Sequence, residues 1–193
     1  WSGDRAVNPD LVEISQILLG HQRDFDWVDD DAFSDALQVR GSSLQNRSGQ
    51  RYSTLIIPSC DVITQKAWAV IEEFASKGGK VLFWGRRPSK LAGRSFREGI
   101  PVPELPGTVF FEPAVSWTPT VAASLPGAEL SLGDGHKGIT YTHRHLDGCD
   151  IYLIFNEGET PQTFEANFDA VGQVRQWDGR NGSSSVVDYE TED

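Results

Sequence analysis

A chain of 193 residues, 38% of them hydrophobic, can bury a core of its own in one large domain or two small ones. Its 17 Lys and Arg against 28 Asp and Glu leave a formal charge of -11, which opposes binding to nucleic-acid backbones and anionic membrane surfaces and points to neutral molecules or protein as partners. No 18-residue apolar run is present, so no membrane-spanning helix is expected. The sequence also lacks methionine and opens on Trp1, and is read as a processed chain or a segment of a larger protein.

Helix and strand signals alternate through the first half. Asn8 and Pro9 form an N-cap and first-turn pair, Leu11, Ile14, Ile17 and Leu18 keep helical spacing, and Gly20 is expected to close the helix in a left-handed conformation. Phe25, Trp27 and Val28 predict a short extended run, and Asp29 to Asp31 the acidic start of a small helix reaching Leu37. Val39 to Arg51 reads as a polar hairpin. Ser53 to Pro58 is an apolar, β-branched strand of the kind buried on both faces of a parallel sheet. Thr64 then caps a helix with Ala67, Trp68, Ile71, Phe74 and Ala75 on one stripe, ended by Gly78-Gly79, and Lys80 to Trp84 is a second buried strand. The pattern is a βαβ unit. Residues 86–107, rich in Arg and Pro, predict a long loop with a short helix, followed by a strand at Thr108 to Phe111 and a last helix at Thr118 to Leu125.

From about residue 127 the apolar period changes to two. Ile139 to His145, a Leu-Asp-Gly-Cys turn, and Asp150 to Phe155 predict a hairpin, with further strands at Phe164 to Phe168, Val174 to Trp177 and Val186 to Tyr189. The predicted architecture is α/β, a parallel sheet layer over residues 1–126 followed by a small antiparallel β module over 127–193.

Candidate chemistry is sparse. Cys60 lies just beyond a buried strand, where doubly wound sheets place nucleophiles, but the small residues of a nucleophile elbow are missing around Pro58-Ser-Cys-Asp61 and no base is paired with it. His143 and His145 project from one strand face with spacing that could hold a metal. The nearest third ligands, His136 and Asp147, belong to no recognised motif, so both histidines are read as hydrogen-bonded at a sheet or domain interface. Of the acid pairs Glu72/Glu73, Glu157/Glu159 and Asp29 to Asp31, adjacent helix residues cannot face one another across a cleft as a glycosidase requires, Glu157-Gly-Glu159 is expected in a turn where water keeps both acidities ordinary, and none is read as a catalytic couple. Gly78-Gly79 and Gly133-x-Gly135 do not open helices as phosphate loops do, so no nucleotide cofactor is expected. Trp84, Trp117 and Trp177 stand at a strand end, in a Pro-rich loop and beside a turn, where an exposed ring could stack on a sugar.

Tyr52-Ser-Thr-Leu-Ile-Ile-Pro-Ser59, a helix, and Phe74-Ala-Ser-Lys-Gly-Gly-Lys-Val-Leu-Phe-Trp-Gly85 together resemble the amidotransferase-like, flavodoxin-type accessory domain of large multidomain glycoside hydrolases, especially the α-L-rhamnosidases of family 106. Downstream, Tyr141-Thr-His-Arg144, Asp150-Ile-Tyr-Leu-Ile-Phe-Asn156 and Gln176-Trp-Asp-Gly-Arg-Asn-Gly182 are similar to that group's His-Arg strand, Phe-Asn strand and Trp-Asp turn. The turn departs in having no Thr, and the strand expected before the first helix is missing. The resemblance implies a non-catalytic accessory segment whose partner is the remainder of the parent polypeptide, with catalytic carboxylates on a barrel outside this chain, a glycan at the rim and an extracellular setting. A free-standing carbohydrate-binding or assembly module and a Cys60 thiol enzyme are the alternatives.

Overall fold

The computed structural model describes residues 8–92, 100–112, 116–133 and 138–191. Helix α1 (Pro9–Gly20) starts where the Asn8 side chain accepts from the Asp10 amide and Pro9 occupies the first turn, where its missing N–H is no loss. Gly20 remains helical, against the expectation that it would turn the chain. The left-handed residue is Gln22, at φ 54°. Its side-chain oxygen accepts from Leu132 N and its carbonyl from the Tyr141 hydroxyl, bonds that offset the cost of about 1 kcal/mol for that conformation. Phe25 and Trp27, expected in a short extended run, pair with no other strand and meet edge to face with ring centroids 5.2 Å apart. Helix α2 (Asp30–Asp35) is capped by Asp29, which accepts from Ala32 N.

The polar segment that follows is a three-stranded antiparallel meander, β1 (Gln38–Arg40), β2 (Ser43–Gln45) and β3 (Arg51–Tyr52). Next come β4 (Thr54–Pro58), β5 (Val62–Thr64), α3 (Gln65–Ser76) and β6 (Lys80–Trp84). Where a long loop with a short helix was expected over residues 86–107, the described residues hold two short strands, β7 (Lys90–Ala92), parallel to β5, and β8 (Ile100–Pro101), antiparallel to β7. Strand β9 (Val109–Phe111) and α4 (Pro119–Ser124), capped by Thr118, complete this half.

Strands β4, β6 and β9 form a parallel sheet in the order β4-β6-β9. Because side chains alternate along a strand, β6 supplies two cores. Val81 and Phe83 join Leu55 and Ile57 against Trp68, Ile71 and Phe74 of α3. Leu82 and Trp84 join Phe111 against Ile14 and Leu18 of α1 and Val121 of α4. Helices therefore cover both faces of the sheet, and the broad architecture is α/β.

The second half is built from two-stranded sheets. Strand β10 (Leu130–Leu132) pairs with β13 (Ala166–Phe168), β11 (Ile139–Leu146) with β12 (Cys149–Asn156), and β14 (Arg175–Trp177) with β15 (Ser184–Val186). Asp147 and Gly148 join β11 to β12 with φ of 51° and 77°, the positive pair that a two-residue hairpin turn requires.

Gly79 links α3 to β6, and a Cβ there would lie 2.0 Å from a carbon of the fully buried Phe74 ring. Gly79→Ala should destabilise the protein by about 1–3 kcal/mol in urea unfolding, the usual cost of overpacking. An unchanged midpoint would show that this junction is loose in solution.

Candidate functional site

Parallel pairing brings the chain exits of β4 and β6 together. The Ser59 carbonyl accepts from Asn8 Nδ2 at 2.6 Å and the Ser59 hydroxyl oxygen accepts from Arg86 N at 2.6 Å. Gly85 has φ 91°, and a Cβ there would stand 2.1 Å from Ser59 Oγ and 2.5 Å from Asp10 Oδ2. Only glycine suits both the conformation and the space. Beyond these exits, Asp61, Arg86, Arg87, Ser89 and Phe110 line an open cleft of about 540 Å³. Arg86 and Asp61 pair at 3.2 Å, both exposed, while the Arg87 guanidinium carbon lies 5.1 Å and 5.5 Å from the ring centroids of Phe83 and Phe110.

Cys60, at the edge of this region, is half-buried. Burial, reinforced by the negative charges of Asp30 and Asp61, pushes its thiol up to about 11, with Arg86 opposing. A nucleophile requires the opposite shift. The described histidines make their contacts elsewhere, and His136 lies outside the described residues.

On the hairpin, His143 and His145 share a face and converge on one carboxylate. His143 is buried, with Nδ1 2.6 Å from Glu129 Oε2, Nε2 2.9 Å from Asp150 Oδ1, and its ring stacked on Tyr152 at 4.3 Å. His145 Nδ1 lies 3.0 Å from the same Asp150 oxygen. Among the described residues no group of three or more His, Cys, Asp or Glu is arranged to hold a metal ion. Asp147 serves as the turn residue.

The same strand fastens the hairpin to the loop between α1 and α2. Asp24 accepts from His143 N at 2.9 Å and from Arg144 Nη1 at 3.3 Å, and Asp26 from Arg144 Nη2 at 2.7 Å and from the Tyr52 hydroxyl. Burial raises the Asp24 carboxyl above its ordinary range, against the pull of the His143 amide and Arg144.

The three tryptophans separate. Trp84 is 1% exposed and donates from Nε1 to Glu13 Oε2 at 2.9 Å, so its expected role in stacking on a sugar is corrected: α1 covers it. Trp117 is half-buried and stacks on His21 at 4.0 Å, with Arg23 over its ring at 5.5 Å. Trp177 is 72% exposed on β14 and leaves a ring open to a ligand.

A feature not singled out in the sequence lies on the outer face of the hairpin. Ile151, Leu153 and Phe155 alternate along β12 and are exposed, with Leu146 beside the turn also exposed. The signal was the unbroken apolar run Ile151-Tyr-Leu-Ile-Phe155, which gives a strand two apolar faces. Comparison with family models, curated proteins and solved structures finds no match to this chain.

Two outcomes follow from the titrating groups. With its thiol near 11, about one Cys60 in a thousand is ionised at pH 8, so thiol reagents should modify exposed Cys149 first and Cys60 only slowly. Rapid labelling of a Cys149→Ser variant would contradict this.

Asp150 is held below the usual carboxylate range by hydrogen bonds from His145 and then His143. The unfolded chain therefore takes up a proton at this residue at higher pH than the folded chain. Its contribution to stability is complete above an ordinary carboxylate value of about 4 and is lost as pH falls through the lower folded value. The raised Asp24 acts in the opposite sense. Asp150→Asn should lower stability at pH 6 and flatten the decline below about pH 4. Parallel acid limbs for the variant and the parent chain in urea titrations would show that the two histidine bonds do not form.

Proposed function

We propose that this chain is an accessory, non-catalytic segment of a carbohydrate-active glycoside hydrolase, and that the β12 face docks on the catalytic barrel of the same polypeptide. The observation that carries this reading is the uncovered row Ile151, Leu153 and Phe155, with Leu153 55% exposed. Contiguous exposed apolar surface marks a surface that something else covers. The β14-β15 ribbon strengthens the argument, since all six of its strand residues are exposed and an isolated two-stranded sheet is marginal in water. The resemblance around Tyr52 to Gly85 and Tyr141 to Gly182 supplies the identity of the cover. It also supplies the finer fold: β4, β6 and β9 are three strands of a flavodoxin-type sheet with helices on both faces. An extracellular setting accompanies the same reading. Among the described residues no helix is long and apolar enough to cross a membrane.

The chemistry of the described candidates fits a supporting role. Cys60 is held as a thiol, and His143 has a carboxylate at each ring nitrogen. A second reading, a free-standing carbohydrate-binding module, is favoured by the open ring of Trp177.

Amide hydrogen exchange compares the two directly. In the polypeptide encoded by the complete reading frame, β12 and the β14-β15 ribbon should exchange at least tenfold more slowly than in the isolated chain, and Ile151→Ser/Leu153→Ser/Phe155→Ser should abolish that difference. Because these side chains face outward, the triple variant should keep the stability of the isolated chain to within about 1 kcal/mol. Equal exchange in the two contexts would sink the docking reading. Saturable glycan binding by the isolated chain, lost in Trp177→Ala, would establish the second.

A further inference from the structure

We infer that the carboxyl ends of the parallel strands hold a binding site for a small ring-bearing organic acid, whose oxyanion meets Arg87 and whose body enters the cavity beside Trp68. Ligands of open parallel sheets bind outside the carboxyl ends of the strands, and the cleft of about 540 Å³ lies at the exits of β4 and β6. Arg87 also lines a second, narrower cavity of about 220 Å³, together with Trp68, Phe83, Val102 and Leu105. At about 30 Å³ per water, that space is on the order of seven waters, the size of one small ring.

One unsatisfied buried donor and one exposed cation mark this place. Trp68 is 3% exposed, and its indole Nε1–H has no hydrogen-bond partner, which for a buried donor is costly until an acceptor arrives. Among the described residues no acceptor takes a hydrogen bond from Arg87; Phe83 and Phe110 lie beneath its guanidinium. Stacking on rings removes much of the freedom of an arginine while leaving its N–H fork free for a carboxylate or a phosphate or sulfate ester. Local charge runs against the charge of the whole: residues 86–92 carry three Arg and Lys and no acid in a chain of net charge -11.

Two carboxylates set the limits of the site. Asp61 competes for Arg86 at 3.2 Å, and Glu104 lines the smaller cavity. Both favour a singly charged ligand over a multiply charged one. The apolar walls favour a ring over a bare ion. The inference is independent of what covers the hairpin face.

The test is a titration of the isotopically labelled chain with benzoate, glucuronate and inorganic phosphate at constant ionic strength, following the Trp68 indole and the Gly85 and Ser89 amides by NMR. Benzoate or glucuronate should shift all three saturably. The two acids separate an aromatic body from a sugar body. Arg87→Gln should weaken binding at least tenfold, Arg87→Lys should restore only part of it, and Asp61→Asn should tighten it several-fold. Arg87 is exposed, so amide dispersion should confirm that its variants remain folded. Phosphate binding as tight as either acid with the Trp68 indole unmoved would overturn the proposal, as would shifts reproduced by sodium chloride or unchanged in Arg87→Gln.

Discussion

Strand β6 is the constraint on which the rest of the structure depends. Val81, Leu82, Phe83 and Trp84 are all at or below 2% exposure, a condition met only when both faces and both edges of a strand are covered. Strands β4 and β9 take the edges, and the two helical layers take the faces. Each residue of this run buries a side chain worth roughly 1.5–3 kcal/mol, and among the described residues no other four consecutive hydrophobic side chains are all buried. Once β6 is fixed, the exits of β4 and β6 lie side by side. The cleft with Asp61, Arg86 and Arg87 is a consequence of that burial.

The hairpin is held by another kind of force. Strand β11 meets the α1-α2 loop through the His143 amide and the Arg144 and Tyr141 side chains, which bond Asp24, Asp26 and Gln22, and polar bonds of this type each contribute a net of about 0.5–3 kcal/mol, the upper part of the range only for those to charged groups. They fix position better than they supply stability. The apolar side chains that could have anchored the hairpin, Ile151, Leu153 and Phe155, share the strand face of Arg144 but remain exposed. An element with a polar attachment and an apolar outer face suits a layer between two bodies better than the rim of one. That imbalance underlies the docking reading.

Much of the first half was legible because its signals are local. Asn8-Pro9, Thr64 and Thr118 start helices by capping, and Asp147-Gly148 turns the hairpin through a backbone geometry that few residue pairs adopt. The misreadings concern partners distant in sequence. Trp84 ends a strand, which suggested exposure, but α1 lies over it and Glu13 accepts its N–H across 71 positions. Strand β7 carries too little apolar periodicity to announce itself, and it exists because β5 offers it an edge. Gly20 looked like the helix stop, yet the chain turns at Gln22, whose bonds to Leu132 and Tyr141 could not be read before the hairpin was placed. The strand-end cleft follows the same rule: the sequence showed a basic run, and only the sheet registers bring its first arginines beside Asp61 and Phe110.

The seat of Arg87 shows how closely charge placement depends on packing. Phe83 of β6 and Phe110 of β9 are register partners on adjacent parallel strands, so their side chains share one face of the sheet. Phe83 is buried by its neighbours, whereas Phe110, on the outer strand, remains partly open, and the guanidinium lies over both. A slip of β9 by one residue would turn Phe110 toward α1 and expose Phe111, because the side-chain period of a strand is two. The arginine would then lose one of its two rings. The slip is opposed by the core itself, since Phe111 is 7% exposed and packs on Trp84. The same contact that closes the α1 side of the sheet thus holds the cation in place on the other side.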